Sequence, residues 1–469
     1  MRSTIARSED LRGLKATVMG LGLNGGGLAS ARFLAESGAI VTVTDMKDET
    51  ELADSIAALE GLPIRYALGG HELEDFRSAD LVVKNPAVRP DSPFLQAARA
   101  VETDISLFLR LSPSPIVAVT GSKGKSSVSS AIHHALSASG LPSFLGGNIT
   151  LSPLSFLGRC GPGTPVVLEL SSWQLADLRG LGVLKPRVAV LTSIMPDHMN
   201  RYSSMEEYVS DKRLIYADQE PSSYTLCNLD DPWGRSFASE TRGSVLWYSD
   251  DFSGMPGAWL ESAGSGRGYF SAEADRASAE EILPPELLVP GRHQRKNLLA
   301  AALACRVYGI PAASVAPAIG SFAGVEHRLE RFAERGGISW YNDSAATIPQ
   351  AVGAAIDSFE GPVILITGGT DKNLDFEPAR AAYAKAKLAI LLAGSGTDKL
   401  KTVLEQDGVA FAGPYDDLAR AVEKAKAVAS PGDTVILSPG CASFGMFVNE
   451  FDRGRKFKDT VRELLAISR

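Results

Sequence analysis

Short apolar runs that alternate with amphipathic helical stretches constrain the fold of this chain more than any other sequence feature. Up to about residue 110, the runs TVMGLG, AIVTVTD and ADLVVKN are separated by stretches of helical character. TPVVLELSS and PRVAVLTS in the middle third, and PVILITGG, LAILLAGSG and DTVILSPG in the last, are almost wholly apolar. Such runs are typical of parallel strands that are buried on both faces. The pattern therefore predicts an α/β fold of βαβ units.

Composition and charge exclude several classes of protein. The net charge of −8 gives no electrostatic reason to expect a nucleic-acid partner. The sequence has four cysteines, Cys160, Cys227, Cys305 and Cys441, and no two of them form a Cys-x-x-Cys pair. This spacing indicates reduced and mostly buried thiols rather than disulfides or a zinc site. The first 15 residues lack an apolar signal core, and the apolar runs, such as 388–393 and 298–305, are too short to span a bilayer. We therefore expect a cytoplasmic, soluble protein without membrane insertion. A monomer is a separate expectation, on which the sequence itself gives no information.

The first glycine-rich loop lies within VMGLGLNGGGLASARFLAESGAIVTVTD, residues 18–45. A short strand leads into Gly20-x-Gly22-x-x-Gly25, a helical stretch runs from Leu28 to Glu36, and a second strand ends at Asp45. This arrangement is found in dinucleotide-binding domains, but a lone Gly-x-Gly-x-x-Gly is a weak signal. The loop alone leaves open whether it binds NAD, as in a dehydrogenase, or another nucleotide.

The second glycine-rich loop, in IVAVTGSKGKSSVSSAIHHAL at 116–136, is more informative. Its backbone N–H groups would surround phosphate oxygens at a helix N-terminus, where the helix dipole favours negative charge. We predict a nucleoside triphosphate site in which Lys125 bridges the β- and γ-phosphates and the Ser126 hydroxyl binds Mg²⁺. The loop is two residues shorter than the common G-x-x-x-x-G-K-[ST] form. A dehydrogenase would leave this second loop without a role.

Length and linkers divide the chain into three predicted α/β domains, which agrees with a typical domain size of about 150 residues. A Pro- and Ser-rich segment at 110–115 and a turn near Gly324 supply the boundaries. We predict a Rossmann-like domain at 1–110, a P-loop ATPase-type domain at 111–324 and a second Rossmann-like domain at 325–469. Residues 249–280 are rich in Gly, Ser and acids, and we interpret them as hairpin and loop insertions on the surface.

Polar residues follow the buried strands of the middle third, where active sites of α/β sheets usually lie. Glu169 ends the strand in VVLELSSWQL, and Asp197 and His198 follow the strand in VLTSIMPDHMNRY. Lys212 lies on the helix predicted in SMEEYVSDKRLIY. Taken one at a time, a helix cap, a satisfied histidine and a solvated lysine are the more common explanations.

Taken together, these motifs resemble the Mur ligases, the ATP-dependent enzymes that build the peptide stem of peptidoglycan. The resemblance covers nearly the whole chain, and its short loop TGSKGKSS is similar to that family's phosphate loop. The other matching blocks follow in family order: GGNIT, LELSSWQL, DHMNRY, GRHQRKNLLAA, EHRLE, YNDSAATIPQA, GGTDKNLDF and LSPGCASFGMFVNEFDRGRKF. The chain looks most like the members that add D-glutamate to UDP-N-acetylmuramoyl-L-alanine.

The resemblance implies a set of ligands and roles. ATP and two Mg²⁺ ions would be required for phosphorylation of the substrate carboxylate, and the amine of D-glutamate would then attack the acyl phosphate. The implied catalytic residues are Lys125, His198 and Lys212, and the implied metal ligands are Ser126, Glu169, His198 and Lys212. ATP would contact Gly121, Ser122, Lys123, Gly124, Lys125, Ser126, Ser127, Asn297, Arg328 and Asp343. His293 and Gln294 fall in the same motif as Asn297, on the adenine side. The UDP substrate would contact Leu23, Asn24, Asp45, Asn85, Asn148, Ser171 and Gln174, and the amino acid Thr347, Lys372 and Ser443.

Two further implications concern chemistry and biology. In the family, the lysine at the position of Lys212 resembles a carbamylated one, in which CO₂ converts the amine into a carboxylate that supports the metal. An uncarbamylated lysine paired with a phosphate or an acid is the alternative. A ligase of this kind would serve cell-wall synthesis, and through it cell shape, the cell cycle and cell division.

Several positions depart from the family pattern and leave alternatives open. Ala345 replaces a common lysine, Gly445 a common acid, Glu450 a common aromatic and Gln294 a common asparagine. These departures bear on which amino acid is added, so a related Mur-type or folylpolyglutamate-type ligase for another amino acid, for example L-glutamate, remains an alternative. A non-catalytic nucleotide-binding relative of a ligase is a third reading, disfavoured because Lys125, Glu169, His198 and Lys212 are all present.

Overall fold

The computed structural model describes residues 5–22, 25–149, 151–199, 201–261, 265–372 and 374–466. It divides into two compact units, Met1–Pro285 with Lys296–Ile319 and Glu286–Arg295 with Gly320–Arg469. None of the helices in these described ranges has the length and apolar character needed to cross a lipid bilayer.

The first sheet of the first unit has five parallel strands in the order β3-β2-β1-β4-β5. Its strands are β1 (Lys15–Met19), β2 (Ile40–Asp45), β3 (Ile64–Leu68), β4 (Leu81–Lys84) and β5 (Val101–Glu102). Its helices are α1 (Gly26–Glu36), α2 (Ala53–Ala57), α3 (Leu73–Arg77), α4 (Pro93–Ala97) and α5 (Asp104–Leu111), preceded by a 3₁₀ helix at Ser8–Leu11. The strand order reverses next to β1, which is where ligands bind in doubly wound sheets.

The central sheet of the first unit has nine strands in the order β14-β13-β12-β11-β10-β9-β6-β8-β7. These are β6 (Ile116–Thr120), β7 (Phe144–Gly147), β8 (Val166–Glu169), β9 (Val188–Leu191), β10 (Tyr224–Asn228), β11 (Ser244–Ser249), β12 (Gly257–Leu260), β13 (Gly268–Ser271) and β14 (Glu280–Leu283). The helices are α6 (Lys125–Ala138), α7 (Ser172–Asp177), α8 (Met205–Lys212), α9 (Gly234–Glu240), α10 (Arg292–Val307) and α11 (Ala312–Gly320), with 3₁₀ turns at Pro153–Arg159 and Arg213–Ile215. Every residue of β6, β8 and β9 is buried, as their apolar sequences predicted.

The interpretation of residues 249–280 as surface insertions is partly wrong. This segment does form a hairpin, because β12 and β13 pair antiparallel, but both strands and β14 extend the central sheet. Trp259 and Leu260 are buried, as are Ile282 and Leu283 at the end of β14. The Gly, Ser and acidic residues of the connecting turns hid these short strands in the sequence.

The second unit contains one sheet of six strands in the order β15-β16-β20-β17-β18-β19. The strands are β15 (Glu330–Arg335), β16 (Ile338–Asn342), β17 (Val363–Thr367), β18 (Leu388–Leu392), β19 (Phe411–Tyr415) and β20 (Thr434–Leu437). The helices are α12 (Pro349–Ile356), α13 (Arg380–Tyr383), α14 (Ser395–Gln406), α15 (Leu418–Val428) and α16 (Glu450–Leu465), with a 3₁₀ turn at Glu377–Ala379. Only β15 runs antiparallel to its neighbour.

Three successive sheets, each dominated by parallel strands, confirm the predicted α/β class. The domain boundaries at 110/111 and 324/325 stay predictions. Buried aliphatic strands form the core of each sheet. When a strand is covered on both faces, every one of its apolar side chains is removed from water and contributes to stability.

Candidate active site

The loop between β6 and α6 has the form of a phosphate-binding loop. Gly121 has φ +154°, and a Cβ there would lie 1.8 Å from Thr192 Oγ1. Gly124 has φ +89°, and a Cβ there would lie 2.6 Å from Asn297 Oδ1. Both positions therefore require glycine. The same close approach puts Asn297, on α10, beside the loop that the sequence assigns to ATP.

Two lysine ammonium groups converge on one backbone oxygen at this loop. Lys125 Nζ donates to Gly121 O at 2.9 Å and to Ser122 O at 3.0 Å. Lys212 Nζ, on α8, also donates to Gly121 O at 2.9 Å. Two cations at one carbonyl create a strongly positive point, which suits a ligand that carries several negative charges.

Lys212 is almost wholly buried, with 1% of its surface exposed. Burial, reinforced by the charge of Lys125, lowers the pKa of Lys212 to about 7. Its Nζ lies 4.5 Å from the ring centroid of Tyr208, one turn earlier on α8. Within the described residues no carboxylate forms an ion pair with it, so a sizeable share of the neutral amine is expected near pH 7.

A cavity of about 190 Å³ opens next to the loop and unites much of the predicted site. It is lined by Lys125, Asn148, Ser171, Ser172, Trp173, His198, Tyr208 and Lys212. Five of these were predicted from the sequence: Lys125, Asn148, Ser171, His198 and Lys212. Ser172, Trp173 and Tyr208 were not predicted as site residues, although the i, i+4 spacing of Tyr208 and Lys212 on one helix face could have identified Tyr208.

Glu169 lies behind this cavity rather than in its wall. It is 2% exposed, its Oε1 accepts a hydrogen bond from Asn148 Nδ2 at 2.8 Å, and its Oε2 has no hydrogen-bond partner among the described residues. An unpartnered buried carboxylate oxygen is costly unless a cation or donor joins it, and carboxylate oxygen is a ligand that Mg²⁺ favours. The residues present therefore fit a magnesium ion at Glu169.

The described residues hold no cluster of three or more His, Cys, Asp or Glu side chains suited to a metal. This agrees with the usual magnesium site at a nucleotide, where one or two carboxylates act together with substrate phosphates and water. Ser126, on the first turn of α6, is half-buried and is not among the residues that line the cavity.

His198 stands on a strained loop after β9. Its φ is +56°, a conformation that non-glycine residues rarely adopt, and 47% of its side chain is exposed. Its ring lies 5.3 Å from the ring of Trp173, whose other neighbour is the Arg201 guanidinium at 3.9 Å. The indole thus supports the loop that carries His198.

Ser171 and Gln174 have a structural role that the sequence analysis did not assign. Ser171 is the N-cap of α7, and its Oγ accepts from the Gln174 N–H at 3.2 Å. Gln174 Oε1 accepts in turn from the Ser171 N–H at 3.0 Å. This capping box satisfies two helix N-terminal donors. The hydroxyl of Ser171 nevertheless borders the cavity, so the predicted substrate contact stays a prediction.

Three other residues of the predicted ATP loop differ in their surroundings. Ser122 is buried, and its hydroxyl bonds to the backbone of Met195 and to Tyr208 OH. Lys123 is exposed, with its ammonium 3.5 Å from the Asp197 carboxylate. Ser127 is half-buried on the first turn of α6.

Two residues predicted for the UDP moiety, Asp45 and Asn85, lie at the carboxyl edge of the first sheet. Gly22 N donates to Asp45 Oδ2 at 3.0 Å, so the end of β2 supports the loop after β1. Asn85, directly after β4, faces the same loop, since a Cβ on Gly20 would lie 3.3 Å from Asn85 Cβ. Leu23 and Asn24 lie outside the described residues.

In the second unit, the predicted residues follow neighbouring parallel strands. Asp343 follows β16, and it is buried with Oδ2 accepting from Ser438 Oγ at 2.7 Å. Burial raises the pKa of Asp343 to about 7, although the hydrogen bond from Ser438 favours the carboxylate. Arg328, in the turn before β15, is exposed. Asp343 is therefore positioned as an internal support, and its predicted contact with ATP stays untested.

The three residues predicted to bind the amino acid lie after β16, β17 and β20, which are adjacent. The loops after β17 and β20 are joined by the bridge between Thr370 and Ala442. Lys372 Nζ lies 5.2 Å from the ring of Phe444, next to the buried Ser443. Thr347 is half-buried in the loop after β16. Gly445, one of the departures, has φ +100°, which accounts for a glycine there.

A phosphate loop with convergent lysines, on the second of three α/β sheets, defines a nucleotide-using α/β enzyme. Comparison with known families makes this class specific. The Mur ligase MurD-like N-terminal domain matches residues 14–106, the Mur ligase middle domain 119–305, and the Mur ligase glutamate ligase domain 327–441. The chain belongs to the Mur ligase family, an ATP-dependent ligase family, as the sequence motifs predicted.

Full-length relatives carry a more detailed name. The UDP-N-acetylmuramoylalanine--D-glutamate ligase of Treponema pallidum is 42% identical, over 96% of this chain and 98% of the relative. The enzyme of the same name from a Roseiflexus species is 41% identical, over 96% and 99%. Among solved structures, the UDP-N-acetylmuramate-alanine ligase MurC of Thermotoga maritima has a TM-score of 0.61 at 21% identity, over 96% of this chain and all of that one. That likeness supports the fold.

Proposed function

We propose that this chain joins the L-alanine carboxylate of UDP-N-acetylmuramoyl-L-alanine to the amine of D-glutamate at the expense of ATP. The relatives at 41–42% identity bear the name of that activity and match nearly end to end. The observation that carries the proposal is the convergence of Lys125 and Lys212 on Gly121 O beside a cavity shared with Asn148, Ser171 and His198.

The chemistry explains why such a site is needed. A carboxylate is a poor acyl donor, because its charge repels the incoming amine and oxide is a poor leaving group. Transfer of the γ-phosphoryl group of ATP to the carboxylate releases ADP and gives an acyl phosphate. The neutral amine of D-glutamate then attacks the acyl carbon, and inorganic phosphate leaves. Lys125 would neutralise the β- and γ-phosphate oxygens during the first step.

We propose Ser126, Glu169, His198 and Lys212 as the ligands of two Mg²⁺ ions. Bound magnesium would supply positive charge for phosphoryl transfer. Glu169 Oε2, which has no hydrogen-bond partner in the part of the chain that the structure describes, is the feature that best supports such a site. Trp173 would keep His198 in place through the ring contact described above.

Lys212 is proposed to act as a carbamate. A neutral lysine amine adds to CO₂ to form a carbamate with release of one proton, and the product carries a carboxylate in place of an ammonium. Burial favours this reaction, since it lowers the pKa of Lys212 to about 7 and so populates the neutral amine. A carbamate would also remove the repulsion between the ammoniums of Lys212 and Lys125 at Gly121 O.

The remaining ligand contacts follow the sequence predictions. ATP would contact the 121–127 loop, Asn297, Arg328 and Asp343, and the UDP group would contact Asp45, Asn85 and the segment 23–24. We propose Thr347, Lys372 and Ser443 for the amino acid. We further propose a monomer with boundaries at 110/111 and 324/325, acting in peptidoglycan synthesis and thereby in cell shape and cell division.

The identity of the amino acid is the open specificity question, because Ala345 removes a cation that many D-glutamate-adding relatives carry. Its N–H donates to His327 O at 3.0 Å, and its methyl group offers no charge to a second carboxylate. Loss of one charge-assisted contact is worth about 1.5–3 kcal/mol unless another group compensates. A ligase for L-glutamate or another amino acid is therefore the second candidate.

The test is ADP formation from ATP and Mg²⁺ with UDP-N-acetylmuramoyl-L-alanine and either D- or L-glutamate. We expect ADP only when both co-substrates are present, with D-glutamate preferred. A preference for L-glutamate would move the assignment to the second candidate. Absence of ADP with every muropeptide precursor, or full turnover by a folded Lys125→Ala variant, would overturn the ligase assignment. Reduction of NAD without ATP turnover would indicate a dehydrogenase.

A further inference from the structure

Arg328 stands in a segment of unusual backbone in the second unit. The residues on either side of it, His327 and Leu329, have φ values of +63° and +45°. Non-glycine residues seldom take this left-handed conformation. Such residues persist only where the surrounding structure holds them, and they are concentrated at functional sites.

Hydrogen bonds from three directions hold this backbone. Leu329 N donates to Asp343 Oδ1 at 3.1 Å, and His327 N donates to Glu330 Oε2 at 2.9 Å. His327 O accepts from Ala345 N at 3.0 Å. The main chain on both sides of Arg328 is thus fixed to the loop after β16, while the Arg328 side chain is exposed.

The imidazole of His327 is fixed as well, through Asn342. Asn342 Oδ1 accepts from Ser344 N at 3.2 Å, and Nδ2 donates to Glu330 Oε2 at 2.9 Å and to His327 Nδ1 at 2.8 Å. A carboxylate can only accept, so the amide orientation is determined, and His327 Nδ1 must be an acceptor. The imidazole is therefore neutral, with its proton on Nε2. His327 is 3% exposed and Asn342 is fully buried.

Gly454, on α16, makes the space that this imidazole occupies. A Cβ at Gly454 would lie 2.1 Å from His327 Nδ1 and 3.0 Å from Asn342 Oδ1. Glycine is an unfavourable residue inside a helix because of its backbone entropy. Its presence in α16 is explained by the close approach of the histidine, which no larger residue would allow.

The charges around His327 are nearly balanced. Lys458 Nζ lies 2.9 Å from Glu326 Oε1 and 2.7 Å from Glu330 Oε1. Burial lowers the pKa of His327; Lys458 and Arg455 add to that effect, and Glu326 and Glu330 oppose it. The imidazole thus keeps the uncharged form that its bond from Asn342 requires.

We propose that His327, seated against Gly454 and Asn342, is a positioning residue that fixes Arg328 for contact with the phosphates of ATP. The inference rests on the proposed function, which assigns Arg328 to ATP. A guanidinium whose main chain is fixed before the nucleotide arrives loses less freedom on binding than one on a mobile loop. Gly454 and Asn342 would then contribute to nucleotide affinity without touching the nucleotide.

The test combines Gly454→Ala with Arg328→Ala in a double-mutant cycle, with KM for ATP and the Kd for ADP by calorimetry as readouts. Arg328→Ala should raise both constants by about tenfold or more, since it removes a charge-assisted contact. Gly454→Ala should raise them by about tenfold, and in the Arg328→Ala background it should change them less than about twofold. Gly353→Ala on α12 is the matched control, because a Cβ there meets Ala382 Cβ at an ordinary 3.5 Å.

Each outcome bears on one assignment. If the double variant raises KM and Kd by the product of the two single-variant factors, the positioning role of His327 is overturned, while Arg328 remains an ATP contact. An unchanged KM and Kd in Arg328→Ala would overturn the ATP role of Arg328 in the proposed function, and the positioning role with it. Should Gly454→Ala not fold by circular dichroism, His327→Asn takes its place in the cycle, because asparagine tolerates the left-handed conformation but is too short to reach Asn342.

Discussion

Gly121 O shows how much a single backbone atom can organise, because it accepts from both Lys125 and Lys212. In the sequence, Lys212 lies 91 residues from Gly121 and Lys125 lies four residues from it. A lysine at either position alone would not indicate a functional site in the sequence. Burial, reinforced by the charge of Lys125, lowers the pKa of Lys212 to about 7, so that Lys212 readily loses a proton.

Removal of CO₂ should reveal whether Lys212 is carbamylated. In degassed, CO₂-free buffer we expect activity to fall several-fold and to recover on addition of bicarbonate, because a carbamate is in equilibrium with the free amine. Lys212→Ala should lose nearly all activity and show no response to bicarbonate. The measurement is the initial rate of ADP release. A wild-type rate indifferent to CO₂ would indicate that Lys212 acts as an ammonium.

Asp343 should make stability depend on pH in an unusual direction. Its pKa is raised by burial from 3.8 to about 7, so the folded state keeps a proton that the unfolded state releases. Its contribution to the free energy of unfolding is therefore full below about pH 4 and is lost as pH rises towards 7. Between about pH 4 and pH 7, the free energy of unfolding should decrease less with rising pH in Asp343→Asn than in the wild type. Urea unfolding at several pH values measures the slope, and parallel curves for the two proteins would contradict the raised pKa.

At the scale of elements, α7 illustrates a residue with two roles. Ser171 both caps this helix and borders the cavity, so the sequence SSWQ carries a folding signal within a motif assigned to substrate. The S-x-x-Q spacing is a recognised capping box and could have been identified from the sequence. Both roles agree, because a well-capped helix holds Ser171, Ser172 and Trp173 at the cavity.

Replacement of the cap should separate folding from binding. Ser171→Ala removes the acceptor for the Gln174 N–H and should cost about 1 kcal/mol of stability. Ser171→Thr keeps the side-chain oxygen and should stay within a few tenths of a kcal/mol of wild type. Chemical unfolding in urea distinguishes the two. Equal losses in both variants would contradict a stabilising role for the side-chain oxygen as the cap.

The elements also show how far the sequence alone could reach. The fully buried strands β6, β8 and β9 could be predicted because a parallel strand covered on both faces is apolar throughout. The strands β12 and β13 could not, since glycines, serines and acids in their turns dominate the local composition. Lys212 could be identified as functional only by resemblance, because its contact with Gly121 O depends on tertiary folding. Leu23 and Asn24, predicted for UDP, lie outside the described residues and stay predictions.

At the scale of the molecule, the first unit joins two sheets through a buried ion pair. Lys84, at the end of β4, and Asp177, at the end of α7, approach to 2.7 Å with 5% and 9% of their side chains exposed. A cavity of about 300 Å³ borders this pair. A buried ion pair costs desolvation energy when it forms, but removal of one partner is strongly destabilising because it leaves the other charge buried and unpaired. We therefore expect the pair to add little net stability while disfavouring arrangements of the two sheets in which one charge is buried alone.

This balance gives a prediction for variants of the pair. Lys84→Met leaves Asp177 as a buried, unpaired charge and should destabilise the first unit by about 3–5 kcal/mol. Combination of Lys84→Met with Asp177→Leu removes both charges and should recover most of that loss. Urea unfolding of the full chain provides the comparison. A double variant as unstable as Lys84→Met would mean that the charge pair itself stabilises the unit.

The nine-stranded central sheet ends at β14, which within the described residues pairs only with β13. An edge strand presents unpaired N–H and C=O groups to which another chain could add a strand. Two successive glutamates occupy this one, with Glu280 bound to Arg306 and Glu281 to Arg267. Strands carrying such charges resist intermolecular pairing. The two glutamates of β14 thus give the open edge of the central sheet a feature that opposes the addition of a strand from another chain.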